Sequence, residues 1–318
     1  FHDDRLRDNP MGDPGPDARF GQREVYNKNR PEVHGLYRTW RTLAESYAPS
    51  KLLLGETFVL DVDRMVAFYG DNDELQLAFN FPFVFSDFSA PALRLVVSTT
   101  LGRLPPGACP AWTGSNHDVS RFATRWGAGD ERKIRLALLA LGTLPGTAVL
   151  YYGDEIGMED GDIPDEGRLD RMTSNLPDRF RRDDARTPMP WSAAPGAGFT
   201  EPDVRPWLPF GDYQRRNVAD QVQDPSSMLS LCRRLLALRH QHLGPGIATY
   251  EELPSSDRLW VYRTGDLVVA GNFSDETAAA AVPNGDVLLS TLGSQDARAA
   301  VGPNHQLQPW EGLILKVG

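Results

Sequence analysis

Cysteine is nearly absent: Cys109 and Cys232 are the two in 318 residues. Two thiols exclude a disulfide framework, and a chain of this length can bury a sizeable core without one. Both lie in apolar patterns and read as small buried hydrophobes. Long apolar runs are also missing, and none reaches the length needed to span a bilayer. A basic excess is missing too. The net charge of −10 argues against non-specific binding to nucleic acid or anionic lipid and fits a neutral or cationic small substrate. No His/Cys cluster has zinc spacing, no glycine-rich phosphate loop follows a strand, and no Ser/His/Asp nucleophile elbow is present. The opening FHDDRLRDNPMGDPG is polar, starts without methionine and holds no apolar segment. It does not read as a signal peptide, and the expectation is a cytoplasmic fragment of a longer protein.

What is there is an ordinary globular composition, 41% hydrophobic and 24% charged, enough for one large domain and a small one. Phe1–Lys28 reads as loop. A helix is predicted over Pro31–Tyr47, with Val33, Leu36, Tyr37, Trp40 and Leu43 on one apolar face. Short apolar strands are expected at Lys51–Gly55, Leu75–Phe81, Cys109–Ser115 and Thr147–Tyr152. Between them lie helices at Asp61–Gly70, Pro91–Leu104 and Glu131–Leu141. Strands that are continuously apolar and alternate with helices signal a parallel sheet covered on both faces.

From Gly153 to Asp224 the alternation breaks into Asp-, Pro-, Arg- and Gly-rich sequence. So long a loop is functional or disordered, and Trp191 and Trp207 point to an ordered, packed excursion. Asp224-Pro225-Ser226 then caps a helix to His242, with Met228, Leu231, Leu235 and Leu238 inward. The character changes after Gly244-Pro245-Gly246. Four strand-like runs, Trp260–Arg263, Leu267–Phe273, Asp286–Leu289 and Leu313–Val317, read as a small antiparallel β domain. The alanine run Thr277–Ala281 is too short to matter. The domains are therefore expected at 1–245 and 246–318.

Polar groups gather at the ends of the barrel-like strands, where barrel enzymes place their chemistry. Glu56 closes the run LLLG. In isolation it is a solvated loop carboxylate, but set against Leu54 and Phe58 it would be partly desolvated, which raises a carboxyl pKa toward general-acid use. Asn116, His117 and Asp118 follow the Cys109–Ser115 strand, with Arg121 three residues on. A plain loop or capping role is the alternative for Asp118, and structural hydrogen bonding that for His117. Beside Arg121, Asp118 would stay ionised and act as a positioning or electrostatic group. One acid held protonated and one held ionised is the pairing used in glycosidic bond cleavage. In DRFRRDDARTPMPW, Arg182 and Arg186 lie where they could fork onto carboxylates or sugar hydroxyls, or simply form a solvated face. Asp154 and Glu155 are loop anchors or part of a rim.

Five motifs in order carry a resemblance over nearly the whole chain: GET at Gly55–Thr57, LAFNF at Leu77–Phe81, SNHDVSR at Ser115–Arg121, YYGDEIGM at Tyr151–Met158 and RDDARTPMPW at Arg182–Trp191. With the helix in Asn217–Arg239, they resemble the α-glucosidase branch of the α-amylase superfamily of glycoside hydrolases. The resemblance implies an α/β fold, the second half of a (β/α)8 TIM barrel (strands 5–8) followed by a carboxyl-terminal antiparallel β-sandwich domain. It implies a retaining mechanism on α-glucosidic bonds of small maltooligosaccharide-type substrates. By resemblance Glu56 is the general acid/base, Asp118 fixes sugar hydroxyls in the transition state, and His117 bonds the same sugar. Arg182 and Arg186 line the non-reducing sugar's subsite.

The family's nucleophilic Asp ends the fourth strand, and Phe1-His2-Asp3 resembles the loop after it. Asp3 and Asp4 stand at the wrong place to substitute. Strands one to four and any divalent-metal loop are thus expected upstream, so no cofactor and no metal site is assigned to these residues. The 318-residue polypeptide is expected to be inactive alone, and unpaired edges are expected at the strands of Leu52 and Val149. Rival readings are a trehalose synthase or sucrose-cleaving relative, or, in another class, a non-catalytic glycosidase-like binding subunit. Retention of Glu56, His117 and Asp118 together favours the enzyme.

Overall fold

The computed structural model describes residues 7–12, 22–170, 181–244, 248–293 and 300–317. Two compact units emerge, Phe1–Ser86 with Leu95–Ala111 and Asp87–Arg94 with Trp112–Gly318. Phe1-His2-Asp3, Asp4 and the expected domain divide at Pro245-Gly246 lie outside the described residues.

In the first unit, α1 (Pro31–Glu45) starts on a proline, whose absent N–H is no loss at a first helical position. Its expected apolar face is split. Val33 and Tyr37 pack on a core of Val59, Met65, Phe68, Tyr69, Leu75 and Ala78. Leu36, Trp40 and Leu43 are instead 46%, 45% and 57% exposed. A second stripe on the helix explains the rotation. His34 Nδ1 lies 2.7 Å from the buried Glu74 carboxylate, Arg38 pairs with it at 2.8 Å, and Arg41 donates to the Glu74 carbonyl at 3.1 Å. A buried carboxylate stripped of partners is strongly destabilising, so Glu74 decides which side of the helix faces in.

β1 (Leu54–Gly55) is followed by α2 (Val62–Val66), capped by Asp61, which accepts from the Arg64 N–H. β1 pairs in parallel with β2 (Leu77–Ala78), Leu54 opposite Leu77. α3 (Phe81–Val84) and α4 (Ala90–Arg103) lead to β3 (Ala111–Thr113), and a parallel bridge joins Phe79 to Ala111. The hydrogen-bonded strands are shorter than the apolar runs because the flanking residues are committed elsewhere. Asn80 Oδ1 accepts from the Phe83 N–H at 2.9 Å, starting α3, and its amide donates to Thr100 at 2.9 Å.

In the second unit, Asp130 caps α5 (Glu131–Thr143) by accepting from the Arg132 N–H. Every residue from Ile134 to Thr143 is buried. A helix apolar all round is a core helix, which is what ERKIRLALLAL encodes after its first turn. β4 (Thr147–Val149) follows and pairs with β3. Among the described residues, β1 has only β2 as a strand neighbour and β4 only β3.

α6 (Val218–Gln223) is capped by Asn217, and α7 (Met228–His242) by Ser227. The Asp224 expected as cap holds the turn before it, accepting from the Ser226 N–H at 2.7 Å. Met228, Leu231 and Leu235 are buried, joined by Leu229 and Cys232, while Leu238 is half-buried. Cys109 is also half-buried. Gly142 is needed where α5 and α7 meet, since a Cβ there would stand 2.3 Å from Leu235 Cδ2. Arg239 donates to the carbonyls of Gly142 and Leu144 at 3.1 and 2.8 Å, satisfying the open end of α5.

The carboxyl-terminal sequence forms a six-stranded antiparallel sheet. Its strands are β5 (Tyr250–Glu252), β6 (Leu259–Thr264), β7 (Leu267–Asn272), β9 (Gly285–Ser290), β10 (Ala300–Val301) and β12 (Gly312–Lys316), after β8 (Ala278–Ala280) and β11 (His305–Leu307) are set aside as a separate pair. The order is β10-β9-β12-β7-β6-β5. Val261, Val268, Ala270, Leu313 and Leu315 fill one face with Leu307 and Ala280. Tyr262, on the other, shares a hydrogen bond with Thr143 of α5 at 2.5 Å. The alanine run, expected to be inert, supplies β8.

The long excursion is ordered where described, but not through its tryptophans. Trp191 and Trp207 are 49% and 81% exposed, while Ala185, Met189, Ala197 and Leu208 are buried. The stretch from Ser192 to Asn217 leaves and returns at one point. There the Val218 N–H bonds the Pro190 carbonyl at 3.0 Å, and the Ala219 N–H bonds the Trp191 carbonyl at 3.0 Å.

Candidate functional site

Glu56 directly follows β1 in the first unit and is exposed. The desolvation expected from Leu54 is missing, since Leu54 is itself 45% exposed. His117, Asp118, Arg182 and Arg186 belong to the second unit.

There the site is built on the end of β3. Gly114 lets the chain turn tightly, for a Cβ would stand 2.8 Å from the Phe122 ring. Ser115 Oγ accepts from the Phe122 N–H at 2.9 Å, and Asn116 Oδ1 accepts from the Asp118 N–H at 2.8 Å. These two bonds present Asp118 at the surface of the turn.

Arg186 donates to Asp118 Oδ1 at 2.8 Å and Arg182 to the same oxygen at 3.2 Å. His117, about half exposed, places Nε2 3.7 Å from that oxygen, and its carbonyl accepts from Arg186 Nε at 2.7 Å. Arg182 also binds Asp170, the first cause of a guanidinium pKa held above its usual range. The two arginines thus meet on one carboxylate, the fork that their spacing allowed.

Arg121 does not face Asp118, contrary to expectation. Its side chain is fully buried and donates to the carbonyls of Tyr152 and Ala185. Its guanidinium lies between two rings, 4.7 Å from the centre of Tyr151 and 4.6 Å from that of Tyr152. Its backbone N–H donates to Asp160 at 2.9 Å, and Ser120 binds the same carboxylate. One arginine therefore ties the SNHD turn to the loop after β4 and to the segment carrying Arg186. Adjacency in sequence suggested a partner for Asp118; the structure makes Arg121 a brace.

The loop after β4 turns on Gly153, at φ +89°, where a Cβ would stand 2.6 Å from Met158 Sδ. Asp154 is a loop anchor, accepting from the Tyr151 N–H at 2.9 Å. Burial pushes its carboxyl up to about 7, against the opposing pull of Arg121. Glu155 accepts from the Gly153 N–H at 2.7 Å. Asp183 accepts from the N–H groups of Leu169 and Asp170 at 2.7 and 2.8 Å, fixing the segment before Arg186. The roles of Asp160, Asp170 and Asp183 had no signal in the sequence beyond the density of acids in the excursion.

Two cavities adjoin Arg186. One of about 410 Å³ is lined by Leu169, Asp170, Asp183, Arg186, Trp207 and Leu208. The other, about 420 Å³, shares Arg186, Trp207 and Leu208, and is walled by Trp191, Phe199, Met189 and Pro188 with Tyr152 and Glu155. Among the described residues no helix is long and apolar enough to cross a membrane.

The model of the α-amylase catalytic domain matches residues 5–246. The chain is 32% identical to a salivary α-glucosidase of Anopheles gambiae, over 99% of its own length and 57% of the relative's. A probable α-glucosidase of Rhizobium meliloti (strain 1021) is 30% identical over 89% of this chain and 54% of its own. Among solved structures, the α-glucosyl transfer enzyme XgtA superposes with a TM-score of 0.84 at 27% identity, covering 99% of this chain and 61% of that one. The trehalulose synthase MutB from Pseudomonas mesoacidophila MX-45 gives 0.80 at 22% identity, covering 91% and 59%, a likeness of fold alone. The chain spans about half the length of the curated relatives it matches. Its fold is the second half of a (β/α)8 barrel followed by an antiparallel β domain.

Proposed function

This chain belongs to the α-amylase catalytic-domain family, and from that membership we propose that it is part of an α-glucosidase cleaving small maltooligosaccharide-type substrates with retention. The observation that carries the reading is the meeting of Arg182 and Arg186 on the one carboxylate of Asp118. Two guanidiniums fix that carboxylate in place, and its remaining lone pairs accept from the hydroxyls of a single sugar ring. His117, on the same turn, bonds that sugar, and the arginines border its subsite.

In this reading Glu56 protonates the departing glycosidic oxygen and then takes a proton from the water that releases the sugar. The attacking carboxylate is assigned to sequence beyond these 318 residues, in the part of the relatives that this chain does not match. No cofactor is invoked. Expressed with an upstream half of that kind, the protein should release glucose from maltose, and Glu56→Gln should lower kcat by about 10²–10⁴-fold. The 318-residue chain by itself should not turn over an aryl α-glucoside. Turnover by it alone, or undiminished activity in Glu56→Gln, would overturn the assignment.

A second reading, glucosyl transfer to an acceptor other than water, is favoured by the superposition on an α-glucosyl transfer enzyme. Product analysis on maltose, isomaltose, sucrose and trehalose separates the two.

A further inference from the structure

Arg182 and Arg186 both donate to Asp118 Oδ1, at 3.2 and 2.8 Å. Two guanidiniums on one carboxylate leave a positive charge in excess. A glycoside that reacts through an oxocarbenium-like transition state gains positive charge on its own ring. An excess cation beside that ring opposes the reaction, because a preorganised site carries the sign that answers the developing charge.

Asp170 supplies the missing anion. Arg182 uses two edges: Nη1 faces Asp118, while Nε donates to Asp170 Oδ2 at 2.5 Å. The Asp170 side chain is 8% exposed, and those of Asp118 and Arg182 are 18% and 19% exposed. Charges so far withdrawn from water are screened little by salt. Asp170 is itself fixed, since its backbone N–H donates to Asp183 at 2.8 Å. The Asp183 carboxylate is in turn answered by that N–H and the one of Leu169. Joined in this way, the side chains of Asp118, Arg182, Arg186 and Asp170 balance to zero.

We propose that Asp170 is a positioning residue that sets the charge of the site. By holding the Nε edge of Arg182 it cancels the cationic excess at Asp118, and so favours a positively charged sugar ring over a neutral one. Asp170 acts through Arg182 and is not a catalytic residue. The inference rests on the α-glucosidase reading.

The test compares a neutral and a cationic ligand on the 318-residue chain by ligand-observed NMR. The neutral one is methyl α-glucoside; the cationic one is the imino sugar deoxynojirimycin, kept below its amine pKa. Asp170→Asn retains an acceptor for Arg182 Nε and removes the charge. It should weaken the imino sugar about ten-fold and methyl α-glucoside less than about two-fold. Asp170→Glu should keep the wild-type ratio. Arg186→Gln leaves the opposite imbalance with every carboxylate still paired, so its ratio should move toward the imino sugar. That arm stands even if Asp170→Asn does not fold, and the two substitutions together should restore the wild-type ratio. In the protein expressed with an upstream half, Asp170→Asn should lower kcat on maltose about ten-fold and change KM less than about two-fold. A wild-type chain that binds neither ligand would sink the glucosidase reading and this inference with it. Binding of both, with a ratio that neither Asp170→Asn nor Arg186→Gln moves, would overturn the charge role alone. An equal loss of both ligands in Asp170→Asn would make Asp170 an anchor or a direct sugar partner, which also overturns it.

Discussion

The first unit and the carboxyl-terminal sheet use apolar residues in opposite ways. In the sheet, β6 and β7 are paired over six residues and almost wholly buried on both faces. In the first unit, β1 and β2 pair over two residues, and Leu52, Leu54, Leu36, Trp40, Leu43 and Tyr47 are 45–62% exposed. The antiparallel sheet closes its own core through neighbours close in sequence. Parallel strands are joined only through crossovers, so each stretch of a barrel depends on elements far along the chain. The same apolar content therefore gives a finished core in one region and an adhesive surface in the other.

The largest expected break of this contrast is Val261→Asp. Val261 is 0% exposed in the sheet core, and an unpaired charge there should cost about 4 kcal/mol or more and unfold the sheet, read by thermal unfolding. Next comes Arg121→Ala, which strips the Tyr152 and Ala185 carbonyls of their buried donor. At about 1–3 kcal/mol for each carbonyl left unsatisfied, a loss of about 2–6 kcal/mol is expected, with the 118–186 ion pair loosened; Arg186→Lys should spare stability by comparison, which a paired melting experiment shows.

Asp154→Asn should act through pH. A carboxyl whose folded pKa lies near 7 against 3.8 stabilises the fold fully below pH 3.8, and that contribution is lost as pH rises through 7. The Asn variant lacks this loss, so relative to wild type its stability should climb by about 3 kcal/mol between pH 4 and 7, measured by urea unfolding. A difference that is flat with pH would show that the buried carboxyl is ionised throughout. The smallest effect is Leu43→Glu on α1. It should move stability by less than about 0.5 kcal/mol while reducing self-association in sedimentation, whereas the same substitution in the sheet would not fold.

How legible each region was in the sequence follows the same division. The four strand runs of the carboxyl-terminal sheet were visible because they are long and apolar, but Tyr250–Glu252, Ala278–Ala280, Ala300–Val301 and His305–Leu307 carry no apolar period and were missed. In the barrel half, element order was readable and strand length was not. An apolar run records burial, whereas Asn80 and Ser115 spend their side chains on turns that end the ladder. The apolar face of α1 was misjudged because Glu74, forty residues away from His34, sets its rotation. Arg182 and Arg186, whose spacing left both a fork onto a carboxylate and a solvated face open, meet on Asp118. Arg121 was assigned the wrong partner because three residues of separation suggest contact only on a helix, and this turn is not one.

The paired bonds between Pro190 and Val218 and between Trp191 and Ala219 make the segment between them a cassette hung from a single neck. Phe199, Trp207 and Leu208 all hang on it, whereas Asp118, Arg121 and Arg186 sit outside. Exchanging that cassette for one of different composition would reshape what the neighbouring cavity admits without touching the brace that holds the ion pair. Selectivity and scaffold are thereby free to diverge at different speeds.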